Sequence, residues 1–311
     1  MQAVPVVWAV LALLAATTAW GSMFLVAKPM VAQLDPVWFT TVRYALATLP
    51  LLALVQVWGR APWTQLRRHH RSLTWLGLLG YGAFSTLCFY GLRLTLPSHA
   101  SVLMATMPFS TLGLRWWLDG QRPSARALWG AALALAGVAT VAGLLGPAAR
   151  AAGPDALWGD ALIFAATLGW VVYTRGGARL SHLNALEYTA LTATASLPWL
   201  LGAALLLTAL GLCRAPAPIT LQAWAPSLVY VALVPTVLAA LAFNLGVRRL
   251  GPAVGTLFLN VVPVSVMAMR ALLGQPPGAS ELLGTALVAM ALTLHALPGA
   301  SAPAPRAAPC R

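Results

Sequence analysis

The sequence predicts an all-α integral membrane protein: ten transmembrane helices, arranged as two inverted five-helix halves. Three observations carry this. First, the 311 residues are 60% hydrophobic and only 8% charged, with a mean hydropathy of +0.80. A soluble globular domain carries roughly 25% charged residues, so lipid must be the solvent for much of this surface. Second, ten apolar stretches are long enough to cross a bilayer, which takes roughly 20 helical residues. Third, the stretch from Phe89 to Leu133 is echoed from Phe243 to Leu287. Gly91 meets Gly246, Arg93 meets Arg248, Pro108 meets Pro263 and Arg115 meets Arg270. After a one-residue slip, Gly120-Gln121 meets Gly274-Gln275 and Gly130 meets Gly284. Backbone groups in hydrocarbon must bond within the chain, and these runs are too long and too continuously apolar for barrel strands.

The first half is expected over residues 1–147. Its spans run from Val6 to Val26, Val37 to Val57, Leu73 to Leu92, Ser98 to Leu118 and Arg126 to Leu145. The first span lacks a basic leader and is read as a retained helix, not a signal peptide. The second half, residues 148–297, has spans from Leu157 to Thr174, Ala185 to Leu205, Trp224 to Leu245, Ala253 to Leu273 and Glu281 to Leu297. Short turns separate them, among them Asp119-Gly120, Gly146-Pro147, Gly251-Pro252 and Pro276-Pro277-Gly278. A Pro/Ala-rich segment, residues 298–311, cannot build a core and is expected to be a disordered cytoplasmic tail. Because five is odd, a five-span repeat followed by its copy inserts upside down.

Arginine sets the orientation. Thirteen of the nineteen basic residues fall in the even-numbered loops and the tail, so both termini are expected in the cytoplasm of an inner-membrane protein. The second loop, Trp58 to Arg71, is the strongest vote. The net charge of +13 does not point to nucleic acid, because the basic residues sit between apolar spans and not on one face. Cys88, Cys213 and Cys310 have neither metal-ligand spacing nor a disulfide framework. No nucleophile elbow, zinc helix or phosphate loop is present, so no catalytic residue, metal or cofactor is expected.

An ordered set of features now accumulates: Trp20-Gly21-Ser22, Arg43, Pro108, Asp119-Gly120 leading into Ala131 to Gly143, Gly159-Asp160 before Trp170 and Tyr173, and Pro263. With these the sequence resembles the bacterial ten-helix drug/metabolite transporters built from two EamA repeats. The likeness runs from Val6 to Leu297, but Leu273-Gly274-Gln275 lacks the acidic residue that often follows the ninth span. The resemblance implies a small-molecule carrier and does not choose the cargo.

Polar or aromatic groups deep in a span are functional candidates, because placing them there costs free energy. Trp20 and Trp170 lie at matching places in spans one and six, either lining a central cavity or packing between helices. Tyr81, Phe84 and Ser85 share one helical face, a pocket wall or a packing stripe. Asn260, one turn before Pro263, offers an amide to a ligand or to a neighbouring helix. His99 is a proton relay, a gate or a solvated end group. Arg43 holds an anionic substrate group, reaches the headgroups or pairs with Asp35. Pro108 and Pro263 are the helix-bending candidates. All six acids lie in loops or near span ends, which favours facilitated or exchange transport.

The function expected is therefore movement of an amino acid, aromatic metabolite or drug-like molecule, in the export direction, by alternating access. An integral membrane enzyme on lipid-linked substrates, or a structural or sensory membrane protein, is the alternative. The partners expected are the small-molecule substrate and the lipid bilayer; the sequence leaves a homodimer open.

Overall fold

The computed structural model describes residues 5–141, 154–180, 182–250, 258–259 and 261–296. Asn260, the join between the halves at 146–153 and the tail 298–311 lie outside the described residues. Every regular element among the described residues is helical. Helix α1 is Val6–Gln33 and α2 is Pro36–Trp58. Helix α3 runs through Pro62–Gly77, a π-helical segment Leu78–Ala83, and Phe84–Leu94. Helices α4, α5 and α6 are Pro97–Ala105, Met107–Asp119 and Ala125–Val141. Then come α7, Pro154–Arg179, and α8, Ala185–Ala209. Helix α9 runs through Pro218–Val231, a second π-helical segment Ala232–Leu238, and Ala239–Leu250. Helices α10, Val261–Leu272, and α11, Ala279–Ala296, close the chain.

Local chemistry explains the starts. Proline opens α2, α3, α4 and α9, where its missing N–H is an orphan donor anyway. Asp35 caps α2 by accepting from the Val37 amide at 2.9 Å. Asn184 and Glu187 form a reciprocal capping box at the start of α8.

Six of the helices are long and apolar enough to cross a membrane; the shorter apolar ones are α6, α10 and Ala279–Ala291 within α11. Two departures from the expected spans have clear causes. The arginine-rich stretch 58–71 is not one loop: the chain turns at Gly59–Ala61, which holds Arg60, and is helical again from Pro62, so Arg67, Arg68 and Arg71 ride on the start of α3. The fourth span is not continuous: it breaks at Thr106 into α4 and α5. Pro108 cannot donate to the preceding turn, and the Thr106 amide bonds instead to Leu103, three residues back, at 3.1 Å.

The two halves share one frame. Buried, half-buried and exposed positions follow the same sequence over residues 11–23 of α1 and 161–173 of α7. The two π-helical segments lie 154–155 residues apart, the spacing of the sequence echo. Helix α3 approaches α7 at Gly91, where an added β-carbon would stand 2.4 Å from the Gly159 carbonyl oxygen. Helix α9 approaches α1 at Gly246 in the same manner, 2.4 Å from Leu13 Cγ and 3.0 Å from the Ala9 carbonyl oxygen. Helices α6 and α11 cross with Gly137 against Gly284. Small residues let helix backbones touch where lipid offers no hydrophobic drive for association. Outward, Trp8, Trp58, Trp75, Trp116, Trp117 and Trp158 are exposed, as an interfacial belt requires.

The contact at Gly137 is directly testable. A β-carbon there would sit 2.7 Å from the Gly284 carbonyl oxygen, so backbone must move, whereas Gly113 has nothing within 4 Å. Gly137→Ala is expected to lose about 1–3 kcal/mol of stability by overpacking, and Gly113→Ala to be neutral or mildly stabilising. Thermal unfolding of the two purified proteins in detergent measures the contrast.

Candidate functional site

Helix α2 carries the least expected side chains of the interior. Thr40, Thr41, Arg43, Tyr44 and Thr48 are all buried, Arg43 at 3% exposure. Arg43 neither reaches the headgroups nor pairs with Asp35. Its Nη2 donates to Ser85 Oγ on α3 at 2.6 Å, and its Nη1 to Thr236 Oγ1 in the π-helical segment of α9 at 3.0 Å. Met23 Sδ of α1 lies 3.6 Å from Nη1. The guanidinium sits 4.4 Å from the Tyr44 ring centre and 5.1 Å from that of Phe89. Four elements from both halves thus meet on one cation.

That cation has no counter-charge among the described residues. Asp35 is occupied by the α2 cap and the Tyr90 hydroxyl. Asp119 pairs with Arg175, Asp160 with His99, and Glu281 with Arg270. Glu187 accepts from the backbone amides of Arg60 and Asn184. Asp155 is exposed at the start of α7.

A run of aromatic rings leads away from the guanidinium. Tyr44 packs tilted against Tyr81 with ring centres 4.6 Å apart, Tyr81 likewise against Tyr173 at 5.0 Å, and Tyr173 stacks on Tyr188 at 4.8 Å. Trp170 touches Tyr173 at 5.2 Å and Phe84 at 5.1 Å. The Tyr81 and Tyr173 hydroxyls bond at 2.6 Å, and the Tyr44 hydroxyl lies 3.3 Å from Ser85 Oγ. The sequence candidates Arg43, Tyr81, Phe84, Ser85 and Trp170 therefore form one network. Tyr44, Tyr188 and Thr236 belong to it as well. Nothing in the local pattern marked them, because their role depends on which helices become neighbours.

Trp20 adjoins the network from the other side. Its Nε1 donates to the Pro235 carbonyl at 2.9 Å, the residue before Thr236, and its ring lies 4.9 Å from that of Phe243. The π-helical segment makes this bond available, since its irregular turn and Pro235 leave carbonyls without helical donors.

His99 is elsewhere, and it is not a solvated end group. It is buried, its Nδ1 3.1 Å from Asp160 Oδ2, with Thr95 Oγ1 donating to Asp160 Oδ1 at 2.7 Å. The neighbouring Ser98 bonds to Glu281, which holds Arg270. Lys28 Nζ donates to the carbonyls of Leu92, Arg93 and Thr95 at the C-terminus of α3. All these groups gather at the end of the bundle marked by the start of α7. At the opposite end of α7, Arg175 pairs with Asp119 and Glu187 ties down the Arg60 turn. The acids do lie near span ends, but Asp160, Glu187 and Glu281 are buried, and each fastens one half to the other or closes a turn.

Pro108 stands just after the Thr106 break, and Pro263 in the first turn of α10. A groove of about 580 Å³ along α1, lined by Leu11, Leu14, Ser22, Tyr230 and Met269 among others, contains none of the candidate residues. Among the described residues no three His, Cys, Asp or Glu side chains group as metal ligands.

The family model described as the EamA-like transporter family matches residues 7–143 and again 157–297. The uncharacterized transporter YrdR of Bacillus subtilis (strain 168) is 28% identical over 291 residues, covering 91% of this chain and 89% of its own. The uncharacterized transporter YyaM of the same strain is 26% identical over 272 residues, covering 86% and 87%. One solved crystal structure, 20% identical, aligns over 92% of this chain and 96% of its own with a TM-score of 0.62. That last likeness is one of fold.

The paired charges make a measurable prediction. Glu281→Ala leaves Arg270 buried without its counter-charge and is expected to cost about 3 kcal/mol. Arg270→Met combined with Glu281→Leu removes both charges and is expected to cost far less. Unfolding of both variants in detergent checks it; a double variant that loses as much as Glu281→Ala would overturn it.

Proposed function

The chain belongs to the EamA-like transporter family, and from that premise we propose that it moves a small organic metabolite across the membrane by alternating access, in the export direction. The family and the relatives named as transporters support a membrane transporter over the enzyme and structural readings. The finer proposal is ten helices in two inverted repeats, residues 1–147 and 148–297, with the cargo site between them. The inner membrane is the proposed location, with both termini in the cytoplasm, as the arginine distribution favours.

One observation carries the proposal: residues of both halves converge on Arg43. Met23, Tyr44 and Ser85 of the first half and Thr236 of the second touch it, and Tyr81 of the first half with Tyr173 and Trp170 of the second extend the network from Tyr44. A site built at the junction of two repeats is where carriers of this architecture hold cargo, with irregular helix segments beside it. The two π-helical segments supply that irregularity in this chain. Access from one side would then require parting the contacts at one end of α7, the His99–Asp160 and Arg270–Glu281 pairs. Access from the other would require parting Asp119–Arg175 and the Arg60–Glu187 contact. The break between α4 and α5, and Pro263 in α10, are the proposed points of bending.

Counterflow in proteoliposomes loaded with mixed amino acids and metabolites tests the reading. Saturable exchange is expected. Trp20→Ala and Trp170→Ala, shown to be folded, are each expected to slow it by about three- to tenfold, the worth of one aromatic contact. Absence of exchange from any pool by folded protein would return weight to the enzyme or structural readings.

A further inference from the structure

Four buried side-chain polar atoms lack a hydrogen-bond partner among the described residues, and three of them lie on α2: Thr40 Oγ1, Arg43 Nε and Thr48 Oγ1. Buried polar groups are otherwise almost always paired, so such a cluster calls for a partner that the chain itself does not supply. At Arg43 the shortfall is of charge as well as of hydrogen bonds. A guanidinium has five N–H donors. Three contacts use them here, to Ser85, Thr236 and Met23, and none of these acceptors is anionic.

We infer that Arg43 is the binding residue for a carboxylate on the cargo, and that the cargo class is a small organic monocarboxylate with a flat apolar body. This rests on the carrier reading above and deepens it. The argument from chemistry is direct. A buried cation is costly unless paired, and a planar carboxylate matches the guanidinium fork in two parallel hydrogen bonds. The hydroxyls of Ser85 and Tyr44 stand beside the fork, and either can turn to donate to the same carboxylate. A cationic cargo would be repelled by Arg43 in a medium of low dielectric constant. A polyanion would need further cations, but Lys28 is engaged by three carbonyls at the end of the bundle and Arg270 is neutralised by Glu281. One guanidinium therefore selects one negative charge.

The remainder of the cargo is set by what adjoins the fork. Tyr44 lies against the guanidinium, and Tyr81, Tyr173 and Trp170 continue from it as a run of tilted rings in contact. A carboxylate at Arg43 would place an attached ring along this wall, where offset stacking is favourable. It would also displace the Ser85 and Thr236 hydroxyls, which now join α3 of one half to α9 of the other through Arg43. Cargo binding would thus weaken a bond between the halves at their centre.

Three probes sharing one ring separate the charge types: phenylacetate, phenylacetamide and phenethylamine. Phenylacetate alone is expected to raise the melting temperature of the detergent-purified protein and to exchange in counterflow. Arg43→Gln is expected to weaken that response by about tenfold or more, the worth of a charged hydrogen-bonded contact. Arg43→Lys, which keeps the charge and loses the fork, is expected to fall between the two, and it serves if Arg43→Gln does not fold. Without probe, Arg43→Met is expected to melt no lower than the parent, because it removes an uncompensated charge; a large drop would mark Arg43 as structural. A response to the amide or amine equal to that of the carboxylate overturns the assignment, as does Arg43→Gln responding like the parent. Exchange confined to neutral or cationic members of a mixed pool overturns the carboxylate and leaves the carrier standing. No exchange of any kind overturns the carrier itself.

Discussion

Hydrocarbon offers no hydrogen bond, and most features of this chain follow from that one fact. It requires the backbone to be helical wherever it meets lipid. It requires each irregular turn to be buried and answered. The π-helical segment Ala232–Leu238 is answered by Trp20, whose indole bonds to the Pro235 carbonyl, and by Thr236, whose hydroxyl bonds back to Val231. The C-terminal carbonyls of α3 are answered by Lys28. The acids obey the same rule: Asp160, Glu187 and Glu281 are buried because each has donors waiting. Against that pattern the middle of α2 stands out, with Thr40, Thr48 and Arg43 each holding an unpartnered polar atom, and Arg43 lacking a counter-charge as well among the described residues.

The repeated frame and its unequal furnishing are separate matters. Frame positions are shared: the burial register of α1 and α7, the two π-helical segments, and the glycine contacts at Gly91 and Gly246. The side chains facing the centre are not. Counted from the caps Asp35 and Asn184, Arg43 and Thr192 occupy the same place in α2 and α8. In the matched register of α1 and α7, Met23 corresponds to Tyr173. One half thus contributes the charge and the other much of the aromatic wall. Duplication thus gives the two halves a common scaffold, and substitution has given the interior an asymmetric lining.

Much of this was legible in the chain. Apolar run length and the Phe89–Leu133 echo foretold helices and repeats, because both are local or periodic signals. Pro108 foretold a break, since a missing N–H acts within one turn. The fate of the arginine-rich stretch was not legible: a polar surface suits a loop and the exposed end of a helix equally, and Pro62 opened a helix there. The network around Arg43 was half legible. Its members could be named singly, but Thr236 becomes its partner only when α9 lies across α2, a contact 193 residues apart. His99 was half legible for a related reason. Near a helix end it looks solvated, and only the approach of Asp160 from the other half buries it.

The two ends of α7 differ in one further respect. The Arg175 and Asp119 side chains remain 22% and 30% exposed, whereas those of Arg270 and Glu281 are 10% and 9% exposed. Dissolved ions screen charges that solvent reaches and leave sheltered ones nearly untouched. Ionic strength therefore acts on one mouth of the bundle and scarcely on the other. Added salt would loosen the Arg175–Asp119 end before it touched the Arg270–Glu281 end.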